Sequence, residues 1–279
     1  MKIAVASGKG GTGKTTIAVN LALSIKNVQL IDCDVEEPNC NIFLNMRLRK
    51  VNSVSIPVPV IDNNRCIHCG RCSKNCQYNA IVTLPDETIV FSELCHGCGL
   101  CSIVCPVDAI TEENRVIGII EKGDGEMEFL RGILNISEAL STPIIRKLKE
   151  GIKKNKIAIL DAPPGAGCPV IETISDVDYC VLVTEPTPFG LYDLKIMVEL
   201  CRRLNLKFGV IINRYGIGNS SVENFCHKEK IPILMKISND KRIMELYSRG
   251  IAFVDKIPEK RREFIKLFHM IGNETDSGN

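Results

Sequence analysis

The chain has 279 residues, 45% hydrophobic and 24% charged, with a formal net charge of +2, the profile of a globular protein with ample apolar material for a large core. The near-neutral balance gives no support to nucleic-acid binding, and no run approaches a membrane span. The N-terminus reads as a strand entering a glycine loop instead of a secretory leader, so a cytoplasmic location is expected.

In chain order, Ile3 to Ala6 form a buried-strand run. Ser7-Gly8-Lys9-Gly10-Gly11-Thr12-Gly13-Lys14-Thr15-Thr16 follows, and then an apolar helix from Ile17 to Ile25. A strand, a glycine loop and a helix in that order make a phosphate cradle: Gly8, Gly10, Gly11 and Gly13 let backbone N–H groups converge on phosphate oxygens. Lys14 then neutralises the β and γ phosphates of a nucleotide such as ATP or ADP, Thr15 ligates Mg2+, and Thr12 and Thr16 complete the loop. A second strand at Val28 to Ile31 ends at Asp32-Cys33-Asp34.

Two matched cysteine runs occupy the next stretch, Cys66-x2-Cys69-x2-Cys72-x3-Cys76 and Cys95-x2-Cys98-x2-Cys101-x3-Cys105-Pro106. An even cysteine count also fits a disulfide framework, and cysteine pairs also fit zinc. Zinc usually draws its four ligands from two separated pairs, whereas a third cysteine two residues after each pair, then a fourth, suits two 4Fe–4S clusters better. Three thiolates come from one run and the fourth from the other, so the expected sets are Cys66, Cys69, Cys72 and Cys105, and Cys95, Cys98, Cys101 and Cys76. Fourteen cysteines in a reducing compartment agree with ligation over stapling. Two clusters at about −2 each would make the loaded protein mildly acidic.

Beyond the runs come a polar hairpin at Lys122-Gly123-Asp124-Gly125-Glu126, an apolar stretch from Gly132 to Ile136 and a helix from Glu138 to Lys153. Lys156 to Leu160 is another buried strand, followed by Asp161-Ala162-Pro163-Pro164-Gly165. Strands at 179–183 and 208–212 end at Thr184-Glu185-Pro186 and Asn213-Arg214. Helices near 190–204, 219–230, 239–248 and 259–271 alternate with them and with a strand at 231–235. Such alternation predicts an α/β fold with a doubly wound, mostly parallel sheet.

Residues 60–110 resemble bacterial two-cluster ferredoxins, including the repeat in which Asn79-Ala80-Ile81 answers Asp108-Ala109-Ile110. Gln77 departs from that pattern, standing where Pro106 stands in the second run. Lys9 beside Gly8, together with Lys14, resembles the deviant Walker loop of MinD/Mrp-type P-loop ATPases, and the likeness extends over nearly the whole chain. It implies an ATPase domain formed by residues 1–59 and 111–279, interrupted by a small α+β ferredoxin-like insert. It further implies a homodimer across the nucleotide face, with Lys9 reaching the partner's phosphates. Asp34 would position the attacking water, Asp32 would lie in the outer shell of the metal, Asp161 would hold a water on Mg2+, and Asn213 would read adenine. The expected function couples an ATP hydrolysis cycle to electron transfer with an unidentified redox protein. An iron–sulfur carrier or scaffold is the alternative.

Cys168 is read as a buried or partly buried thiol, and Cys33, Cys40, Cys180, Cys201 and Cys226 as small apolar packing residues. The basic, amphipathic run Lys260 to Ile271 resembles the membrane-targeting tail of MinD proteins, which would add spatial positioning as a third reading. Its periodicity is equally that of a last helix packed on the sheet, the reading preferred here.

Overall fold

The structure, a computed structural model, describes residues 1–125 and 127–276. Short runs of β-branched and aliphatic residues bounded by turns become the central strands: β1 (Lys2–Ala6), β2 (Val28–Asp32), β8 (Ile157–Asp161), β9 (Tyr179–Thr184), β10 (Phe208–Tyr215) and β11 (Ile233–Ser238). Such continuous apolar runs suit strands covered on both faces. With β7 (Glu128–Leu134) they lie parallel. The nine-stranded sheet is completed by β6 (Ile110–Gly123), antiparallel to β7, and β3 (Leu48–Ile61), antiparallel to β6, in the order β11-β10-β9-β1-β8-β2-β7-β6-β3.

Helices cover both faces. On one side, α4 (Thr142–Glu150), α5 (Cys168–Ile174), α6 (Pro188–Arg203) and α7 (Ser221–Lys228) enclose a core containing Ile117, Ile145, Leu160 and Met197. On the other, α1 (Lys14–Ser24) and α9 (Pro258–Asp276), flanked by α8 (Lys241–Ser248), enclose Ile17, Leu21, Phe129 and Phe253. The doubly wound expectation therefore holds, and the strands and helices foreseen in the sequence form close to their expected places. The helix foreseen at 138–153 is shorter, because Ser141-Thr142-Pro143 starts it at Thr142, with the proline in its first turn. In the 122–126 hairpin, Glu126 lies outside the described residues.

The long β3/β6 ribbon is the principal element missed. Pro57 and Pro59 speak against a strand, but β3 is the sheet's edge, where proline is tolerated. The register runs from Leu48↔Gly123 to Ile61↔Ile110, so the ribbon continues through the boundaries expected at 60 and 110. Residues 62–109 sit at its far end, with a two-stranded sheet of β4 (Ile81–Thr83) and β5 (Thr88–Val90) and the short helices α2 (Arg71–Asn75) and α3 (Leu100–Ile103).

The apolar side of α9, at Phe264, Leu267 and Ile271, is buried in the second core against α1. The tail therefore packs as a core helix, and the surface that a membrane contact would need is taken up inside the protein. No helix among the described residues is long and apolar enough to cross a membrane.

Candidate nucleotide site and two cysteine-walled cavities

The glycine loop leaves the carboxyl end of β1 and caps α1, where the helix's unpaired N–H groups favour an anion. Gly13, with φ +96°, ends the loop. A Cβ there would stand 2.4 Å from Asn213 Nδ2, so only glycine lets the two segments meet. A cavity of about 340 Å³ opens over the loop, lined by Gly10, Gly11, Gly13, Lys14, Thr15 and Thr16, by Asp34, Glu37 and Asn39 after β2, and by Asn213, Arg214 and residues 237–240 after the outer strands. It lies at the carboxyl ends of the parallel strands, where α/β sheets bind ligands.

Each acidic strand end has a distinct environment. Asp161 is fully buried. Its Oδ2 accepts a 2.6 Å hydrogen bond from Thr15 Oγ1 and one of 3.4 Å from the Cys40 thiol, while its Oδ1 is buried with no hydrogen-bond partner. Burial pushes its carboxyl pKa up, against the pull of Lys14 and of the Thr15 hydrogen bond. A buried carboxylate oxygen left orphaned beside a threonine hydroxyl fits a hydrated divalent cation between them. Asp34 lines the cavity, its pKa pushed by burial up to about 6 with Lys14 opposing.

Asp32 is also buried, but its oxygens are occupied by the main chain. Oδ1 accepts from Asp34 N–H at 3.2 Å, and Oδ2 from Asn39 N–H and Cys40 N–H at 3.0 Å each. Asp32, Cys40 and Asp161 bring ligand atoms within 4.8 Å of one another, yet those bonds make Asp32 a clasp on the 34–40 loop. Burial, then the nearby Asp161 charge, pushes its pKa up to about 7.

Lys14 is buried beside Asp34 and Asp161. Lys9 is half-exposed, and its Nζ lies 3.5 Å from Glu185 Oε2; Glu185 also receives Arg214 Nη1 at 2.6 Å. Asn213 Nδ2 donates to Thr12 O at 2.8 Å, tying β10 to the glycine loop. Glu185, Arg214, Glu37 and Asn39 were not singled out from the sequence. Glu185 carried one usable signal, since it follows a buried strand whose carboxyl end borders the loop.

The loop after β2 also reaches β6 and β7. Asn41 Oδ1 accepts from Arg131 Nη1 at 2.7 Å, and Arg131 on β7 is paired with Glu121 on β6 at 2.7 Å.

At the far end of the ribbon, two cavities sort the eight cysteines. Cys66, Cys69, Cys72 and Cys105 wall one; Cys76, Cys95, Cys98 and Cys101 wall the other. These are the sets expected from spacing, three from one run and one from the other. All eight are free thiols. Ala109 N–H points to Cys105 Sγ and Ala80 N–H to Cys76 Sγ, both at 3.3 Å, and Gly97 N–H points to Cys95 Sγ at 3.4 Å. Gly97, at φ +65°, also lets the second run lie on the ribbon: a Cβ there would meet Pro57 O at 3.0 Å. Four sulfurs per cavity, with one backbone N–H aimed at the first set and two at the second, is a donor arrangement that fits an iron–sulfur cubane.

Cys168 opens α5 and is exposed, contrary to the buried or partly buried thiol expected, because it stands at the first position of a helix that follows the glycine-flanked 165–167 turn. Cys33, Cys40, Cys180, Cys201 and Cys226 are buried as expected.

A glycine loop capping the helix after a central parallel strand, with carboxylates at the ends of neighbouring strands, defines a P-loop nucleotide-binding protein of the doubly wound class. Residues 3–253 match the CobQ/CobB/MinD/ParA nucleotide binding domain, and the chain belongs to that family. An uncharacterised protein of Methanocaldococcus jannaschii is 35% identical over 261 residues, 91% of this chain and 91% of its own. An iron-sulfur cluster carrier protein of the same organism is 25% identical over 273 residues, 92% of this chain and 72% of its own. Among solved structures, the septum site-determining protein MinD of Pyrococcus horikoshii, complexed with Mg-ADP, superposes with a TM-score of 0.59 at 21% identity over 95% of this chain and 93% of that one, a likeness of fold.

Proposed function

We propose that this chain is a Mg2+-dependent ATPase whose nucleotide cycle is coupled to electron transfer through two 4Fe–4S clusters carried by a ferredoxin-like insert. The observation that carries the proposal is the sorting of eight thiols into two four-sulfur cavities, in crossed sets, on the same chain as a phosphate-loop site. Bound iron–sulfur clusters would supply one-electron chemistry at those sulfurs.

In the nucleotide site, Lys14 and the loop N–H groups hold the β and γ phosphates. Thr15 and Asp161 hold hydrated Mg2+, Asp34 orients the attacking water, and Asn213 stands at the base. Asp32 acts here by holding the 34–40 loop and its water-orienting aspartate in register. Lys9 serves a second copy of the chain in a nucleotide-bridged homodimer, which requires it to leave Glu185.

The test is made on anaerobically purified protein. About eight iron atoms and eight sulfides per chain are expected, with a cubane signal in the reduced protein that changes between Mg-ADP and a non-hydrolysable ATP analogue. Iron near zero after reconstitution overturns the clusters; a full complement with spectra indifferent to nucleotide overturns the coupling.

A second reading, an iron–sulfur cluster carrier, draws on the name of the relative at 25% identity. It predicts nucleotide-dependent transfer of labelled iron to an apo-acceptor. Eight internal thiol ligands favour retained clusters over surrendered ones.

A further inference from the structure

The two cavities share one hydrogen bond, to the fourth cysteine of each run, and carry opposite charge. One backbone N–H reaches the fourth cysteine of each run at 3.3 Å, Ala109 to Cys105 and Ala80 to Cys76. The first cysteine of each run also has further polar neighbours. Gly97 N–H lies 3.4 Å from Cys95 Sγ, and the buried Thr88 hydroxyl lies 3.6 Å from Cys66 Sγ and 3.4 Å from His68 Nδ1. Once Cys66 is a thiolate ligand, that hydroxyl can only donate to it. His68 Nδ1 at 3.7 Å from Cys66 Sγ and Ser102 beside Cys101 add further donors to each set, so donor number alone does not order the two.

Charge does. Apart from the cysteines, one histidine each and Tyr78 in the Cys95 cavity, the Cys66 cavity is lined by one charged side chain, Arg71, and the Cys95 cavity by one, Glu112. Glu112 Oε1 lies 3.3 Å from where a Cβ on Gly99 would stand, and it accepts from Ser102 Oγ at 3.3 Å, so the carboxylate is held against the loop between Cys98 and Cys101. Arg115, the cation that acts on Cys95, is itself paired with Glu138.

The Cys95 set also sits nearer the ATPase sheet. Its cavity is walled by Pro57 and Pro59 and Cys95 packs on the first core, whereas the Cys66 cavity is walled by Ile61 and Ile110 at the ribbon's end.

Resting on the two-cluster reading above, we propose that Arg71 and Glu112 split the reduction potentials of the two centres, Arg71 raising that of the outer Cys66 set and Glu112 lowering that of the inner Cys95 set. One-electron reduction adds a negative charge to a centre, so a fixed cation favours it and a fixed anion opposes it. The first electron supplied by an external one-electron donor is then held at the outer end, away from the nucleotide site.

The experiment is a dithionite redox titration of the intact, loaded chain followed by EPR, with iron measured in every sample. Both side chains are solvent-exposed, so screening limits each effect to about three- to tenfold in the one-electron equilibrium constant, tenfold being about 59 mV. Arg71→Gln should lower only the upper wave, Glu112→Gln should raise only the lower wave, and Arg71→Lys should leave the upper wave in place. Full iron content with neither wave moved, or with both variants moving the same wave, overturns the inference. Absent iron in the unsubstituted protein overturns the underlying reading instead.

Discussion

Replacing Asp32 separates a clasp on the backbone from a metal ligand. Its carboxylate accepts three main-chain N–H groups, from Asp34, Asn39 and Cys40. In Asp32→Ala all three lose their acceptor. A hydrogen bond to a charged group contributes about 1.5–3 kcal/mol, and a buried donor left unpaired costs about 1–3 kcal/mol. Only the Cys40 bond is wholly buried, so water recovers part of the loss at Asp34 and Asn39, and relief of repulsion with Asp161 recovers some more. A net loss of about 3–5 kcal/mol follows, a large share of the ~5–15 kcal/mol that holds a typical domain folded. Asp32→Asn can still turn its oxygen toward Asn39 and Cys40 and should lose only about 1–2 kcal/mol. Urea unfolding of the Mg2+-free, iron-loaded protein at pH 8 measures both, with an unchanged m-value as the control. Because burial raises this carboxyl to about 7 in the folded state, the proton-linked part of its contribution is full below the ordinary carboxylate range and is lost as pH rises through about 7, while its three N–H bonds persist in the ionised form. The wild type should therefore lose more stability between pH 6 and pH 8 than Asp32→Asn does. An alanine variant within about 1 kcal/mol of wild type, or an asparagine variant as damaged as alanine, would refute the clasp.

Lys9→Ala should leave Mg-ATP binding within about twofold while turnover falls a hundredfold or more, the order expected for losing an activating cation in trans; unchanged steady-state hydrolysis would remove Lys9 from the chemistry. Cys105→Ala should halve bound iron, Cys66→Ala/Cys105→Ala should lose no more than either single variant, and Cys95→Ala/Cys105→Ala should lose both centres; elemental analysis showing the reverse pattern would uncross the ligand sets. Arg131→Met keeps the length of the side chain but removes its links to Asn41 and Glu121; the nucleotide-induced change in the cluster spectrum should shrink while ATP affinity stays within about threefold, and an undiminished change would clear Arg131 of any part in coupling. Phe264→Ala empties a buried site on α9 and should cost about 3–5 kcal/mol by thermal or urea unfolding; a loss below ~1 kcal/mol would mean the helix is not anchored in the core as described.

The central strands could be read from sequence because each is a short, continuous apolar run between turn residues, and burial on both faces demands that pattern. The glycine loop and the cysteine runs were legible for another reason: their spacing is set by the group they surround, so local sequence carries the geometry. What sequence concealed depends on distant partners. Leu48 to Ile61 reads poorly as a strand, since it becomes one only by pairing with Ile110 to Gly123 across the whole insert. The three N–H groups that the folded loop turns onto Asp32 left no sign in the sequence. Asn213 likewise showed its bond to Thr12 O only once β10 lay against the glycine loop.

The position of residues 62–109 bears on how a bound nucleotide would reach them under the proposed function. The loop from Cys33 to Asn41 is clasped by Asp32, touches Asp161 through the Cys40 thiol and ends on Arg131 through Asn41. Arg131 pairs with Glu121 on β6, and Leu134 N–H donates to Val35 O at 2.8 Å, so the loop is stitched to β7 and, through the ribbon register, to β6. β6 and β3 then run without interruption to the cysteine-walled unit, apart from two shifts in register. On the proposed function, a γ-phosphate drawing Asp34 inward would move the loop with the ribbon unless the Asn41–Arg131 and Val35–Leu134 bonds broke, each at a cost comparable to the free energies by which ligands shift such loops. On that reading, breaking those bonds would isolate residues 62–109 and keeping them would displace them, so these contacts would decide whether the two ends of the chain act together.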